Sequence, residues 1–305
     1  MKRRSKILSV VLVMLFSLAL FAGCTKTTKT MTDREGNEFT LPKEVNKIVS
    51  TAPSNTEVLT ALGLADKLVA VDKYSKGIEG VKDDLTKIDF RNPDAETIIS
   101  LQPDIIIASG HNKTGDNDPF ALVKEAGIPV VYIPSSSSID GIYKDIEFIA
   151  QVTKSEKKGK EIVENMKKEV DAIKAIGDKI TDKKKVYFEI GSGSKLSSFG
   201  QDTFLNEMIQ IVGAENIFGN EKSWISPTPE SIVAANPDVI LTNMPDMNGI
   251  KAVDDIKSRD GWDSITAIKE GQVYAIDQNS SARPSQNVIK ALKEMAKAIY
   301  PNEYK

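Results

Sequence analysis

Residues 153–180 read T-K-S-E-K-K-G-K-E-I-V-E-N-M-K-K-E-V-D-A-I-K-A-I-G-D-K-I, and the layout of the whole chain follows from them. Ile162, Met166, Val170, Ile173 and Ile176 recur at steps of three and four, which draws one apolar stripe down an α-helix. Lysines and glutamates such as Lys157, Glu161, Glu164 and Lys168 fill the other faces. No proline interrupts the stretch, and Gly159 and Gly177 are its weak points by propensity. At 1.5 Å per residue a helix over this stretch is about 40 Å long, on the order of a small domain's diameter. On one side of it stands Glu96-Thr-Ile-Ile-Ser-Leu-Gln-Pro-Asp-Ile-Ile106, and on the other Glu230-Ser-Ile-Val-Ala-Ala-Asn-Pro-Asp-Val-Ile240. Glu, Ile, Pro, Asp and Ile fall in the same register in both. The pattern predicts an α/β chain of two similar lobes, residues 32–152 and 181–305, joined by one long helix at 153–180.

With 305 residues, each lobe is long enough to bury its own core. An apolar share of 40%, a charged share of 27% and a net charge of -3 are ordinary for a globular chain and favour no polyanionic partner, so nucleic acid is not expected. One His and one Cys exclude a disulfide framework and a Cys/His zinc cluster.

The first 24 residues form an address. Lys2, Arg3, Arg4 and Lys6 make a basic start, and residues 7–21 are apolar but too short to span a bilayer comfortably. The segment ends Phe21-Ala22-Gly23-Cys24 and resembles a bacterial lipoprotein signal, although Phe21 stands where Leu is usual. That resemblance implies lipidation of Cys24 and anchoring on the extracytoplasmic face of the cell membrane. Residues 25–31 read as a tether.

Further on, residues 32–42 suggest a hairpin. Apolar strands are predicted at 47–51, 68–72, 104–109, 130–134, 186–190, 238–242 and 272–276, alternating with helices, the mark of a parallel sheet covered on both faces. Ser54 or Asn55 is a candidate N-cap, Asn92-Pro93 a helix start, and Thr228-Pro229-Glu230 a cap, first-turn proline and first-turn acid. Residues 288–299 form a closing helix.

Several stretches together resemble a known family: the hairpin, I-V-S-T-A-P-S-N-T-E at 48–57, residues 92–106, 203–216, 228–240 and 261–277, and Arg283-Pro284-Ser285. They are similar to the solute-binding proteins of ABC importers for iron–siderophore complexes, haem and cobalamin. The resemblance covers nearly all of the mature chain. It implies two Rossmann-like lobes with parallel sheets bridged by one long α-helix, and a ligand in the cleft between them. A ferric siderophore is the leading expectation, with a corrinoid or haem as alternatives. The partners implied are a permease dimer with its ATPase, and Glu96 and Glu230 match the acids that dock on the permease, one per lobe. Helix-start acids favoured by the helix dipole are the bland account of the same two residues. No resident cofactor, no protein metal site and a monomer are expected.

Tyr74, Phe90, Phe199 and Trp224 are the aromatic candidates for the ligand, since flat rings bury much area at small entropic cost; core packing is the competing reading. Arg91 and Arg283 have forked donors suited to carboxylate or hydroxamate oxygens, and otherwise read as solvated surface residues. His111 is either an axial ligand to a chelated metal or a bystander in a loop.

An enzyme is the rival class. Ser192-Gly193-Ser194-Lys195 fits S-x-x-K and Lys113-Thr114-Gly115 fits K-T-G, but their order is reversed and no S-D-N lies between, so catalysis is not expected. A receptor for bare zinc or manganese would share the long helix, but it needs several convergent His and acids, and one His argues against it.

Overall fold

The computed structural model describes residues 29–112, 118–192 and 195–305. The signal segment with Cys24, Lys113-Thr114-Gly115 and the Gly193-Ser194 pair lie outside the described residues. Among the described residues no helix is long and apolar enough to cross a membrane.

Strands β1 (Thr30–Thr32) and β2 (Glu38–Thr40) pair antiparallel as the predicted hairpin. Its turn is riveted to the lobe by Asp33, which is buried and accepts from the Tyr132 amide at 2.9 Å. The first lobe continues with β3 (Ile48–Ser50), α1 (Pro53–Ala61), β4 (Leu68–Asp72), β5 (Thr86–Ile88), α2 (Ala95–Ser100), β6 (Ile105–Ser109), α3 (Ala121–Glu125) and β7 (Val130–Ile133). Its five strands are parallel, in the order β5-β4-β3-β6-β7. Every residue of β6 is buried, so both faces of the sheet are covered.

Helix α4 (Ile139–Val152) and helix α5 (Glu156–Gly177) follow, then β8 (Lys185–Glu189), β9 (Ser198–Phe199), α6 (Phe204–Ile211), β10 (Glu215–Asn216) and β11 (Trp224–Ile225). The chain closes with α7 (Pro229–Ala235), β12 (Val239–Thr242), α8 (Ala252–Lys257), α9 (Thr266–Lys269), β13 (Val273–Ala275), α10 (Gln278–Ala282) and α11 (Val288–Ile299). The second sheet is also parallel, in the order β10-β8-β12-β13.

The long helix is α5. Met166, Val170 and Ile173 of the expected stripe are buried, with Val163 beside them, while Ile162 and Ile176 are partly buried against the same core. Its two glycines are the points of closest approach. A Cβ on Gly159 would lie 2.4 Å from the Ala150 methyl of α4, and one on Gly177 would lie 2.3 Å from the Ile211 carbonyl of α6. Each end of the helix is thereby pressed against a different lobe, at positions where a propensity scale shows only a cost. Tyr304 closes the second contact, its hydroxyl donating to the Ile173 and Val212 carbonyls.

The sequence repeat is a structural repeat. Ile98 and Ile232 are both at 0% exposure, as are Ile106 and Ile240. Gln102 and Asn236 both take left-handed backbone, with φ 50 and 46, to turn from helix to strand. Asp104 then accepts from the Lys47 amide at 2.9 Å, and Asp238 from the Lys185 amide at 2.8 Å, tying each turn to the neighbouring strand.

Helix starts differ in detail from the sequence reading. Helix α1 begins at Pro53 with no side-chain cap, so Ser54 and Asn55 lie inside its first turn and neither serves as cap; the proline sets φ there and has no N–H that needs an acceptor. Helix α2 starts two residues beyond Pro93, capped by Asp94 on the Glu96 and Thr97 amides. Thr228 caps α7 as expected.

Candidate functional site

The first sheet doubles back between β3 and β6: β4 and β5 lie to one side, β7 to the other. Open parallel sheets bind ligands outside their carboxyl ends at such a switch point. A pocket of about 610 Å³ lies there. Thr51 to Asn55 follow β3, Tyr74 follows β4, and Phe90 and Arg91 follow β5. Ser109 and His111 come from the end of β6, and Pro134 and Ser135 follow β7. The remaining wall comes from the other lobe, where Gln278, Asn279 and Ala282 of α10 and then Arg283 face the strand ends.

Two buried polar residues shape these loops, and the sequence reading named neither. Asn112 is 2% exposed; its Oδ1 accepts from Thr51 Oγ1 at 2.7 Å and the Ser109 amide at 2.6 Å, and its Nδ2 donates to the Phe90 carbonyl at 2.6 Å. One amide thus braces the ends of β3, β5 and β6. Asp72, at 0% exposure, accepts from the Tyr74 amide and the Ser75 hydroxyl, and holds the turn that presents Tyr74. Burial pushes the Asp72 carboxyl above its ordinary pKa, against those two hydrogen bonds and the charge of Arg283.

Tyr74, 56% exposed, meets Phe90 edge-on with ring centroids 6.0 Å apart. Lys73 lies 5.3 Å from the Tyr74 ring and Arg91 5.3 Å from the Phe90 ring, so a cation flanks each aromatic. Lys73 pairs with Asp89 at 2.9 Å, whereas Arg91 has no carboxylate within ion-pair reach among the described residues. Arg283 is spoken for: its Nη1 donates to Glu57 Oε1 at 2.8 Å and its Nη2 to the Tyr74 carbonyl at 3.3 Å. It is half-buried at the rim, which replaces the picture of a solvated loop arginine.

Five of the seven expected ligand residues, Tyr74, Phe90, Arg91, His111 and Arg283, therefore line one pocket. Phe199 and Trp224 do not. Phe199 is at 0% exposure, packed edge-on against Phe188 at 5.6 Å and Trp224 at 6.3 Å, which leaves its ring no surface for a ligand. The ribbon of β9 with β11 makes it core, a pairing that two-residue strands do not announce in sequence. Trp224 is 53% exposed on that ribbon, at the carboxyl end of the second sheet.

Glu96 and Glu230 are both exposed in the first turns of α2 and α7, the helices that lead into β6 and β12. A helix entering a parallel strand begins at the strands' carboxyl ends, so each acid stands at the pocket end of its own sheet. The Glu230 carboxyl is held below its ordinary pKa by its own amide and the Thr228 hydroxyl. Among the described residues no three His, Cys, Asp or Glu side chains are grouped to hold a metal.

The second sheet has its own switch point, between β8 and β12. Glu189 ends β8 at 1% exposure and takes a two-pronged bond from Arg259, with Nη1 at 2.6 Å and Nη2 at 2.8 Å. Burial opposes the Arg259 cation, but Glu189 and Asp255 outweigh it and raise its pKa. Burial and Glu189 likewise raise the Tyr187 phenol well above its ordinary range.

The family model described as periplasmic binding protein matches residues 48–280, and the chain belongs to that family. The chain is 35% identical over 281 residues to the uncharacterised ABC transporter substrate-binding lipoprotein YvrC of Bacillus subtilis (strain 168), covering 90% of this chain and 87% of that one. It is 25% identical over 253 residues to the vitamin B12-binding protein of Vibrio parahaemolyticus serotype O3:K6, covering 82% and 88%. The structure of a possible iron-binding (periplasmic solute-binding) protein from Staphylococcus epidermidis ATCC 12228 superposes with a TM-score of 0.75 at 32% identity, over 85% of this chain and 100% of that one.

Proposed function

We propose that this protein is the extracytoplasmic receptor of an ABC importer. Anchored through a lipid on Cys24, it captures a metal chelate between its lobes and hands it to a permease dimer and its ATPase. The observation that carries the reading is the pocket at the first switch point, walled by the ends of all five strands and by α10 of the other lobe. At about 610 Å³ it has the size of a small-molecule site.

Its polar lining is mostly neutral, from Thr51, Ser54, Asn55, Ser109, Gln278 and Asn279, with Arg91 as the cation that has no carboxylate partner among the described residues. Such a wall suits a bulky ligand of low net charge with amide or hydroxamate oxygens better than a polyanion, whose buried charges would go unpaired. The expectation of a ferric siderophore thereby narrows to its hydroxamate form. A corrinoid comes first, in keeping with the vitamin B12-binding relative. His111, exposed at the rim, is the side chain placed to meet a chelated metal. Glu96 and Glu230 dock on basic residues of the permease. The exposed apolar side chains Tyr74, Leu122, Met247 and Ile250 follow strand ends or begin a helix there, which supports the same end as the working face.

The test is titration of the purified chain with cyanocobalamin, ferrioxamine and haem, read by native mass spectrometry and visible absorbance. Cyanocobalamin should bind tightest. A chain that takes up none of the three is not a chelate receptor.

A further inference from the structure

Glu57 sits on α1, 4% exposed, and the other lobe closes over it. Its Oε1 accepts from Arg283 Nη1 at 2.8 Å, and its Oε2 accepts from Ser285 Oγ at 2.5 Å and Asn287 Nδ2 at 2.9 Å. Its backbone carbonyl accepts from Gln286 Nε2 at 3.2 Å. All four donors belong to residues 283–287, the turn between α10 and α11. The Arg283 guanidinium has five N–H groups. One points to Glu57 and one to the Tyr74 carbonyl, both on the first lobe, while the side chain borders the ligand pocket. A buried carboxylate with this many donors is a satisfied one, and removing Arg283 would leave its charge uncompensated.

We propose that Glu57 is a positioning residue that sets the charge preference of the ligand pocket. Its carboxylate locks the Arg283 fork at the rim and cancels its charge. The arginine then meets a ligand as a neutral hydrogen-bond donor with spare N–H groups, not as a free cation. An anionic ligand must compete with Glu57 for the same fork, whereas an amide or carbonyl oxygen can take a spare N–H with the clasp intact. The same bonds tie α1 to the α10–α11 turn and so hold the two walls of the pocket at one spacing.

This rests on the chelate-receptor reading for its ligand but not for its geometry, and the test separates the two. Affinities for cyanocobalamin and for dianionic haem are measured on wild type, Glu57→Gln, Arg283→Ala and the double variant. Glu57→Gln should weaken cyanocobalamin binding at least tenfold and shift the cyanocobalamin-to-haem preference tenfold or more toward haem. With Arg283→Ala already in place, Glu57→Gln should change the preference less than twofold. A preference in Glu57→Gln within twofold of wild type overturns the proposal while leaving the receptor reading intact. If wild type binds neither probe, the receptor reading then stands or falls on ferrioxamine, and amide exchange decides the clasp: residues 54–60 and 283–288 should exchange at least tenfold faster in Glu57→Gln, with the rest unchanged. Unaltered exchange there overturns the clasp. Should Glu57→Gln not fold, Ser285→Ala keeps the charge pair and removes one donor; it should speed exchange of the same segments at least threefold and leave the ligand preference alone, and failure of either outcome counts against the proposal.

Discussion

At the carboxyl ends of β3 and β6 the first lobe leaves a pocket of about 610 Å³ braced by a neutral amide, Asn112, whereas at the equivalent ends of β8 and β12 the second lobe seats Glu189 against Arg259 beside a smaller cavity of about 380 Å³. Both crevices come from the same topology, a parallel sheet whose strand order reverses. Side-chain chemistry separates them. In the second lobe Arg259 spends Nε, Nη1 and Nη2 on Glu189 and Asp255, so no guanidinium nitrogen is left without a partner. In the first lobe Arg91 has no carboxylate within ion-pair reach among the described residues, and the brace beneath is uncharged. A fold thus offers the same crevice twice, and at one of them an internally satisfied ion pair takes up the guanidinium.

The sharpest way to break this contrast is to unpair the second lobe. Glu189→Ala leaves Arg259 with only the exposed Asp255 as partner and should cost about 3 kcal/mol in denaturant unfolding, with ligand affinity at the first pocket unchanged in the folded fraction. Replacing Glu189 and Arg259 together by Leu and Met should recover most of that loss. A single variant as stable as wild type would mean that the pair does not hold this end of the sheet.

Asn112→Ala should cost less, about 1–3 kcal/mol, because it leaves the buried Thr51, Ser109 and Phe90 groups without their partner but strands no charge. Here affinity for the chelate should fall together with stability. Loss of stability with full affinity would show that the three strand ends hold their shape without the brace.

Acid should reach the one wall that the second lobe lends to the first. Asp277 caps α10 through the Ser280 amide at 2.8 Å and pairs with Lys290 at 2.7 Å; burial works against its charge, but these bonds bring its pKa down to about 2. A carboxyl that titrates lower in the folded chain than its unfolded value of about 3.9 stabilises fully above that value. Its contribution is lost as pH falls through about 2. Amide exchange in residues 278–283 should therefore quicken between pH 4 and pH 2 (~ one proton's worth of linkage), and Asp277→Asn should flatten that profile.

The smallest effect on the fold is expected where the two lobes are most alike. Glu96→Ala and Glu230→Ala should each change stability by less than about 0.5 kcal/mol, since both acids are exposed first-turn residues. Uptake into vesicles holding the cognate permease and ATPase should fall in each and fall further in the double variant or at raised salt. Full uptake by the double variant would leave them as helix-start residues only.

What could be read along the chain was whatever repeats or runs locally. The long helix stands at Glu156–Gly177 within the expected residues 153–180, and the closing helix stands at Val288–Ile299 as expected. Short β5 and the two-residue strands β9, β10 and β11 were not read, because three residues or fewer carry no period. Helix α4, which leads into the axis, is separate from α5, broken at Thr153 and at Lys154 with φ 59.

By itself the sequence determined the class of fold and the repeat: apolar period and helix-breaking residues act on near neighbours, and Glu96 to Ile106 repeats in Glu230 to Ile240 without any knowledge of the fold. Only the tertiary structure decided the site. Glu57 meets residues that are 226 to 230 positions away, Asn112 spans loops up to 61 positions apart, and Gly177 finds its reason in a carbonyl of another helix. Such contacts depend on where two lobes and a rigid helix place distant side chains, and no local pattern encodes that distance.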